Sequence, residues 1–310
     1  MPKRFMSLIG PFIGLILVIV LFGALEPAFL STRNLMTVAI QTVIVGLGAI
    51  GMTFVIVSGG IDLSIGSVIA LSSVVTALCV RAGLSPATSV AIGVAAGGMC
   101  GALNGWLVTR LSIVPFIVTL GMMGIARGVA KWLSAEQTVT PSPEASEALA
   151  SLATKTATSP GIWITIALAV AMALVLKRTV FGTYTYALGS NEDTARLCGV
   201  PVERTKVWIY TLCGLFGGLG GVMTFARLSV GDPTTAIGKE LDVIAAVVIG
   251  GASLAGGKGS ILGSMVGALL MAALANGCNL TGVPNFVQEI LIGAIIVAAV
   301  AVDRVRAARA

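Results

Sequence analysis

Few residues in this 310-residue chain are equipped for chemistry, and their spacing argues against most of it. There is no histidine, and the five cysteines (Cys79, Cys100, Cys198, Cys213 and Cys278) are scattered without a CxxC pair, so neither a metal centre nor a disulfide framework is expected. No cofactor is implied. A membrane enzyme would need a histidine, paired carboxylates or a nucleophile beside a base, and the chain supplies none of these sets. The segment Gly250-Gly251-Ala252-Ser253-Leu254-Ala255-Gly256-Gly257-Lys258-Gly259-Ser260 comes nearest to a phosphate loop. It fails the pattern G-x-x-x-x-G-K-[ST], because Ala252 stands five before Gly257 and a glycine follows Lys258; a tight turn between spans is the better reading. Any energy from ATP must then come through another subunit.

What is left is a set of polar side chains embedded in apolar sequence. Asp62 lies in Ser58-Gly59-Gly60-Ile61-Asp62-Leu63-Ser64-Ile65-Gly66-Ser67, where two glycines permit a sharp turn and Asp62 or Ser64 can cap the helix that follows. A carboxylate this close to hydrocarbon is costly, which also points to function. Asn104, in Asn104-Gly105, and Thr119, in Pro115-Phe116-Ile117-Val118-Thr119-Leu120-Gly121, need partners at membrane depth, either a neighbouring helix or a wetted pathway. Gln41 and Asn276 join these three as candidate pathway or helix-packing residues.

The elements that must hold them are membrane spans. Hydrophobic residues make up 56% of the chain and charged residues 10%, with a mean hydropathy of +1.02, far too little charge for the surface of a soluble domain. The net charge of +6 falls in short interspan loops, which the positive-inside bias explains without nucleic acid. Met-Pro-Lys-Arg ahead of an apolar run resembles a signal-peptide start. Ile9 to Leu25 runs on too long for one and lacks a cleavage site, so it counts as the first span.

Ten apolar runs have about the length needed to cross roughly 30 Å of hydrocarbon. They are Ile9–Ala28, Leu35–Val57, Ile65–Val80, Ala87–Val108, Val114–Leu133, Ile162–Leu176, Val207–Arg227, Leu241–Leu254, Ile261–Ala275 and Phe286–Val302. The expected fold is all-α, a polytopic membrane protein of about ten transmembrane helices in one domain, residues 1–310. The third and eighth runs are short and glycine-flanked, so broken or re-entrant helices are expected there. The Ser, Thr, Ala, Glu and Pro-rich stretch Ser134–Pro160 suggests irregular structure or a short amphipathic helix.

With both termini in the cytoplasm, Lys3, Arg4, Arg110, Lys177, Arg178, Arg196, Arg204, Lys206, Lys258, Arg304, Arg306 and Arg309 face inward. Arg33, Arg81, Arg127, Lys131, Lys155, Arg227 and Lys239 lie at the other side, a bias of twelve to seven that supports this orientation. Glycines at three- and four-residue spacings (Gly46/Gly48/Gly51, Gly93/Gly97/Gly98/Gly101, Gly214/Gly217/Gly218/Gly220/Gly221, Gly263/Gly267) predict close helix contacts.

One long polar connector, 177–206, interrupts this pattern. It carries Lys177, Arg178, Arg196, Arg204 and Lys206 with Glu192, Asp193 and Glu203, so it lies outside hydrocarbon and, by its excess of cations, in the cytoplasm. Asn191 to Leu197 predicts a short helix, with Ser190 or Asn191 as N-cap, acids in the first turn and Gly199-Val200-Pro201 as its stop. Two readings fit these residues: a solvated linker, or a docking helix through which a soluble partner pushes on the membrane part.

Taken together, SGGIDLSIGS, Asn104-Gly105 with PFIVTLGM and Arg127-Gly128, GSNEDTARLCGV, KELDVIAAVVIGGASLAGGKGS and the closing spans resemble the membrane permease of ribose-type sugar ABC importers, from about Leu35 to Val302 and in the same order. The resemblance implies a permease dimer in the bacterial cytoplasmic membrane, in contact with lipid, a periplasmic solute-binding protein and a cytoplasmic ABC ATPase. It implies that Gly189–Gly199 is the coupling segment, so that Asn191, Glu192, Ala195, Arg196 and Gly199 meet the ATPase. Cys198 stands where a serine-like residue is more usual. An ion-coupled secondary transporter is the other reading; it would need mid-span carboxylates, whereas Glu26, Asp62, Glu240, Asp242 and Glu289 sit near span ends.

Overall fold

The computed structural model describes residues 2–154, 156 and 158–308; Lys155 and Arg309, two of the cations weighed above, lie outside the described residues. Among the described residues the chain forms thirteen α-helices and no sheet: α1 (Pro2–Leu25), α2 (Thr32–Val57), α3 (Ile65–Arg81), α4 (Pro86–Arg110), α5 (Pro115–Leu133), α6 (Pro143–Ala150), α7 (Pro160–Arg178), α8 (Val180–Ser190), α9 (Glu192–Leu197), α10 (Val202–Leu228), α11 (Lys239–Ile249), α12 (Ile261–Leu280) and α13 (Asn285–Ala308). Six of them, α2, α4, α5, α7, α10 and α12, are long and apolar enough to cross a membrane, and α3 and parts of α1 and α13 form shorter apolar helices. Each of the ten expected runs lies on a helix of its own, with α11 as the eighth.

The bounds differ where hydropathy and helix formation part company. The first run ends at Leu25 rather than Ala28, because Glu26 precedes Pro27 and the residue before a proline is driven to extended backbone; the Glu26 side chain then accepts from the Ala28 N–H, 3.2 Å, opening a short 3-10 turn at Pro27–Leu30. The seventh span begins five residues early, at Val202, since Glu203, Arg204 and Lys206 continue the helix beyond the apolar stretch. The ninth runs on to Leu280 through Asn276 and Asn279, and the eighth stops at Ile249, before Gly250-Gly251.

α10 forms the centre, packed against α4, α3 and α2, with α12 and α11 closing the far side of α2. Glycine sets the closest of these contacts. A Cβ at Gly97 would lie 2.7 Å from the Gly218 Cα, one at Gly105 would lie 2.7 Å from the Val207 Cα, and one at Gly51 would lie 2.8 Å from the Cys213 Cα. Lipid chains are as apolar as leucine, so helices in a bilayer gain by such backbone approach instead of by leaving water.

The two short spans are short in the structure. At about 1.5 Å per residue, the 17 residues of α3 make roughly 25 Å and the 11 of α11 roughly 16 Å, both less than the hydrocarbon thickness. Their N-terminal ends meet: a Cβ on Gly66 of α3 would lie 2.7 Å from the carbonyl of Ala236, just ahead of α11, and would collide with Glu240. The non-helical segments before them, 58–64 and 229–238, are therefore folded into the bundle. In the Ser134–Pro160 stretch the expected short helix is α6.

Candidate coupling site and buried polar cluster

The connector holds two helices where the sequence suggested one. α8 has no long apolar run to betray it, only small polar residues mixed with aromatic ones, yet three contacts fix it. Phe181 stacks on Phe54 of α2 with ring centroids 5.7 Å apart, Tyr186 Oη donates to the Gly259 carbonyl at 2.8 Å, and Gly189 packs against the Val57 carbonyl. Gly257 completes the joint by donating its N–H to the same Val57 carbonyl, 2.9 Å. The glycine-rich turn after α11 is thus a seat for α8 and the end of α2.

α9 follows at once and is capped at both ends. Asn191, not Ser190, is the N-cap: its side-chain oxygen accepts from the Thr194 N–H at 2.8 Å, while Ser190 closes α8. Glu192 and Asp193 occupy the first turn and Arg196 the last, signs that suit the helix dipole. At the C-terminus Gly199 N–H reaches the Arg196 carbonyl and Val200 N–H the Ala195 carbonyl, both at 3.0 Å, with Gly199 at φ +85; this paired closure favours glycine at that position. Ala195 faces inward and is buried, Glu192 beside it on the next turn is half-buried, and Arg196 is exposed. Lys206 Nζ, on α10, lies 2.6 Å from Glu192 Oε2, and Arg196 bridges Glu203 and, at 3.9 Å, Glu192. Hydrogen bonding to Glu203, with the negative charge around it, raises the Arg196 guanidinium above its ordinary value and keeps it charged.

A second polar group lies where α2 breaks. Asp62 Oδ1 accepts from the Ser64 N–H at 2.9 Å and the Ser64 hydroxyl at 2.6 Å, Asn104 Nδ2 donates to Ser64 Oγ at 3.0 Å, and Cys213 and Asn104 also reach the carboxylate. Tyr210 Oη lies over Gly60. All of Asp62, Ser64, Asn104, Tyr210 and Cys213 are buried. The expected capping is corrected here: Ser64 occupies the N-cap position of α3, but its hydroxyl turns back to Asp62, and no side chain caps the helix. The acceptor side of that hydroxyl is taken by Asn104 Nδ2, and Ser64 has helical backbone (φ -78, ψ -11) instead of the extended backbone from which a capping side chain reaches the first turn.

Thr119, also buried, donates to the Pro115 carbonyl of its own helix at 3.0 Å and leans toward the Ile61 carbonyl at 3.4 Å, joining α5 to the same break. Asp62, Asn104 and Thr119 are thereby brought together as bonds between elements. Asn276 is not part of this group. It accepts from Asn34 Nδ2 at 2.8 Å, at the other end of α2, and Gln41 is half-buried two turns along from Asn34. Sequence reasoning missed Asn34, Tyr210 and Cys213, whose types alone carry no signal in an apolar span; it also missed Arg127 Nη1, which donates to the Pro233 and Thr235 carbonyls at 2.7 Å each and ties 229–238 to α5. A cleft of about 440 Å³ between α6 and Ser229–Val230, with Glu144 and Glu147 on its rim, opens beside that segment. The described cysteines are free, and no cluster of metal-ligating side chains occurs among the described residues.

A glycine-packed bundle of apolar helices with two short ones folded into it, a capped polar hairpin on one end and interhelix bonds inside defines a multi-pass all-α membrane protein. A family profile described as "Branched-chain amino acid transport system / permease component" matches residues 34–300, and the chain belongs to this family of transport permeases. It is 39% identical to the ribose import permease protein RbsC of Bacillus subtilis, over 98% of this chain and 94% of the relative, and 39% identical to that of Escherichia coli, over 94% and 92%. It is also 39% identical to the L-arabinose ABC transporter permease protein AraH of Azospirillum brasilense, over 94% and 87%. No solved structure matches it significantly.

Proposed function

We propose that this chain is the membrane subunit of an ATP-driven importer and forms the passage for a monosaccharide or similar small polar solute in the cytoplasmic membrane. The observation that carries the reading is nearly full-length identity of 39% to permeases named for ribose and for arabinose. The ribose and arabinose permeases named above support this reading and not the ion-coupled alternative. In this reading α9 faces the cytoplasm with both termini and receives a separate ABC ATPase through Asn191, Glu192, Ala195, Arg196 and Gly199. The segment 177–206 is then a coupling loop within a single domain. α6 and its cleft face a solute-binding protein. A second permease copy packs on α5, where Gly121, Gly124 and Gly128 have open space beside them, unlike the glycines of the bundle core.

The chain's own part is to convert a push on α9 into movement of spans. Displacement of α9 pulls α8 through Asn191 and Gly189, and α8 is seated on the end of α2 and the turn ahead of α12. The same displacement reaches α10 through the Glu192–Lys206 pair. Interfaces of close-packed backbone move as rigid bodies, so the motion opens the bundle alternately to its two sides. The test is reconstitution with the ATPase and binding protein: Glu192→Ala with Arg196→Ala is expected to leave insertion intact and ATP hydrolysis running while uptake falls at least tenfold. Uptake at the unaltered rate would overturn the assignment of α9.

A further inference from the structure

The polar end of the bundle has a second feature beside α9. The turn between α4 and α5 stands across from α9 and the first turn of α10, and the two enclose a cleft of about 280 Å³. One wall is the end of α4 and the turn after it, with Val108, Thr109, Ser112, Ile113, Val114 and Pro115; the other is the ion-paired set of Glu192, Arg196, Glu203 and Lys206. Those four charges are satisfied by one another, so the cleft offers an occupant no unpaired ion. Four of the six side chains on this wall are apolar and the wall is open: Val114 is 59% exposed, and Leu111, in the same turn but outside the lining, is 55% exposed. Ser112 holds φ +50, the left-handed region where a residue with a Cβ is uncommon, and this bend sets the turn opposite α9. On the far side of α9, Leu197 is 89% exposed at the end of an otherwise polar helix.

We propose that the α4–α5 turn is a second docking element for the ATPase, and that it and α9 together grip one apolar or aromatic side chain projecting from the ATPase surface. The inference rests on the reading of α9 given above and names a contact that reading does not contain. Volume and lining select the occupant: the cleft lies just below the roughly 300–1,000 Å³ of small-molecule pockets, half of its lining is apolar, and its charges are already matched. Continuity selects the partner, because Arg196, exposed, and Glu192, half-buried, belong at once to α9 and to a wall of the cleft. The consequence is mechanical. The turn ends α4, the helix whose glycine face is locked to α10, so a partner holding both lips of the cleft moves α4 and α10 as one body while α9 moves α8 and α2.

The test is site-directed cross-linking in the reconstituted complex, in a Cys198→Ser background that removes the exposed native thiol. Asp193→Cys reports on α9 and Ser112→Cys, which keeps the side chain at its native size, reports on the turn. Both are expected to cross-link to the ATPase with a short bifunctional reagent. In addition Thr109→Trp, filling the cleft, is expected to lower solute-stimulated ATP hydrolysis at least fivefold while the complex still assembles. Cross-linking at Asp193→Cys without any at Ser112→Cys overturns the second docking element and leaves the reading of α9 standing; failure at both positions overturns the two together. Unchanged hydrolysis and uptake in an assembled Thr109→Trp complex likewise overturns the grip.

Discussion

Lys206, at the start of α10, reaches back to Glu192 in the first turn of α9, Nζ to Oε2 at 2.6 Å. The pair crosses from a six-residue helix outside the spans to a 27-residue helix at the centre of the bundle. Its lysine is the better buried partner, 18% exposed against 42% for the glutamate. Pairs of this exposure contribute only about 0.2–1 kcal/mol to folding. A tether this weak thermodynamically matters through what it connects.

Reversing one charge, with Lys206→Glu or Glu192→Lys, is therefore expected to shift unfolding in detergent by less than about 1 kcal/mol and to depress uptake at least fivefold. The double reversal restores the attraction and should recover a large part of uptake, Arg196 keeping Glu203 as its partner throughout. Thermal unfolding and vesicle uptake of the three variants decide the matter. Lys206→Glu at the unaltered rate, with the double reversal as impaired as Glu192→Lys alone, would show that the tether carries no force and that Glu192 acts only through its contact with the ATPase.

Gly101 and Gly124 make a second contrast, between glycines one helix apart. A Cβ at Gly101 would run into the Tyr210 carbonyl of α10, whereas one at Gly124 meets nothing within 4 Å. Overpacking of a fitted contact costs about 1–3 kcal/mol or more. Gly101→Val is expected to lower the yield of folded protein and its unfolding temperature sharply. Gly124→Val should leave the single chain as stable as before, yet weaken association of two copies if they meet on α5. Native mass spectrometry of the Gly124 variant reads the second effect, and an undiminished dimer would remove α5 from the interface.

At the α2–α3 break, Asp62→Ala takes the acceptor from the Ser64 N–H and hydroxyl and leaves Asn104 beside a broken network. Stranding buried donors costs about 1–3 kcal/mol. Asp62→Asn keeps one oxygen acceptor and should cost less. If the two variants unfold at the same temperature, it is the charge and not the hydrogen bonding that Asp62 supplies.

How much of this could be read in advance follows from what each signal measures. Length and hydropathy found the ten apolar helices, because burial in lipid demands both. The caps of α9 were legible in Asn191, the acids and Gly199, since capping is local chemistry. α8 was not, because its stability comes from Phe54, Val57 and Gly259, contacts with distant parts of the chain. The sequence singles out Asp62 both as a possible cap and as a carboxylate at membrane depth, but only the fold brings Asn104, Tyr210 and Cys213 around it. The Asn34–Asn276 pair, 242 residues apart in sequence, has no local trace at all.

Cys198 offers a direct measure of orientation with the native sequence. It is exposed directly after α9, while Cys100, Cys213 and Cys278 are buried and Cys79 is half-buried. A membrane-impermeant maleimide should spare Cys198 in intact cells and modify it in inside-out vesicles, in a Cys79→Ser background that removes the partly accessible thiol. The cation excess of the connector predicts this result, as Lys177, Arg178, Arg204 and Lys206 flank α9 on both sides and resist translocation. Labelling in intact cells would place α9 on the side where no ATP is available, and an ATPase could then not be its partner.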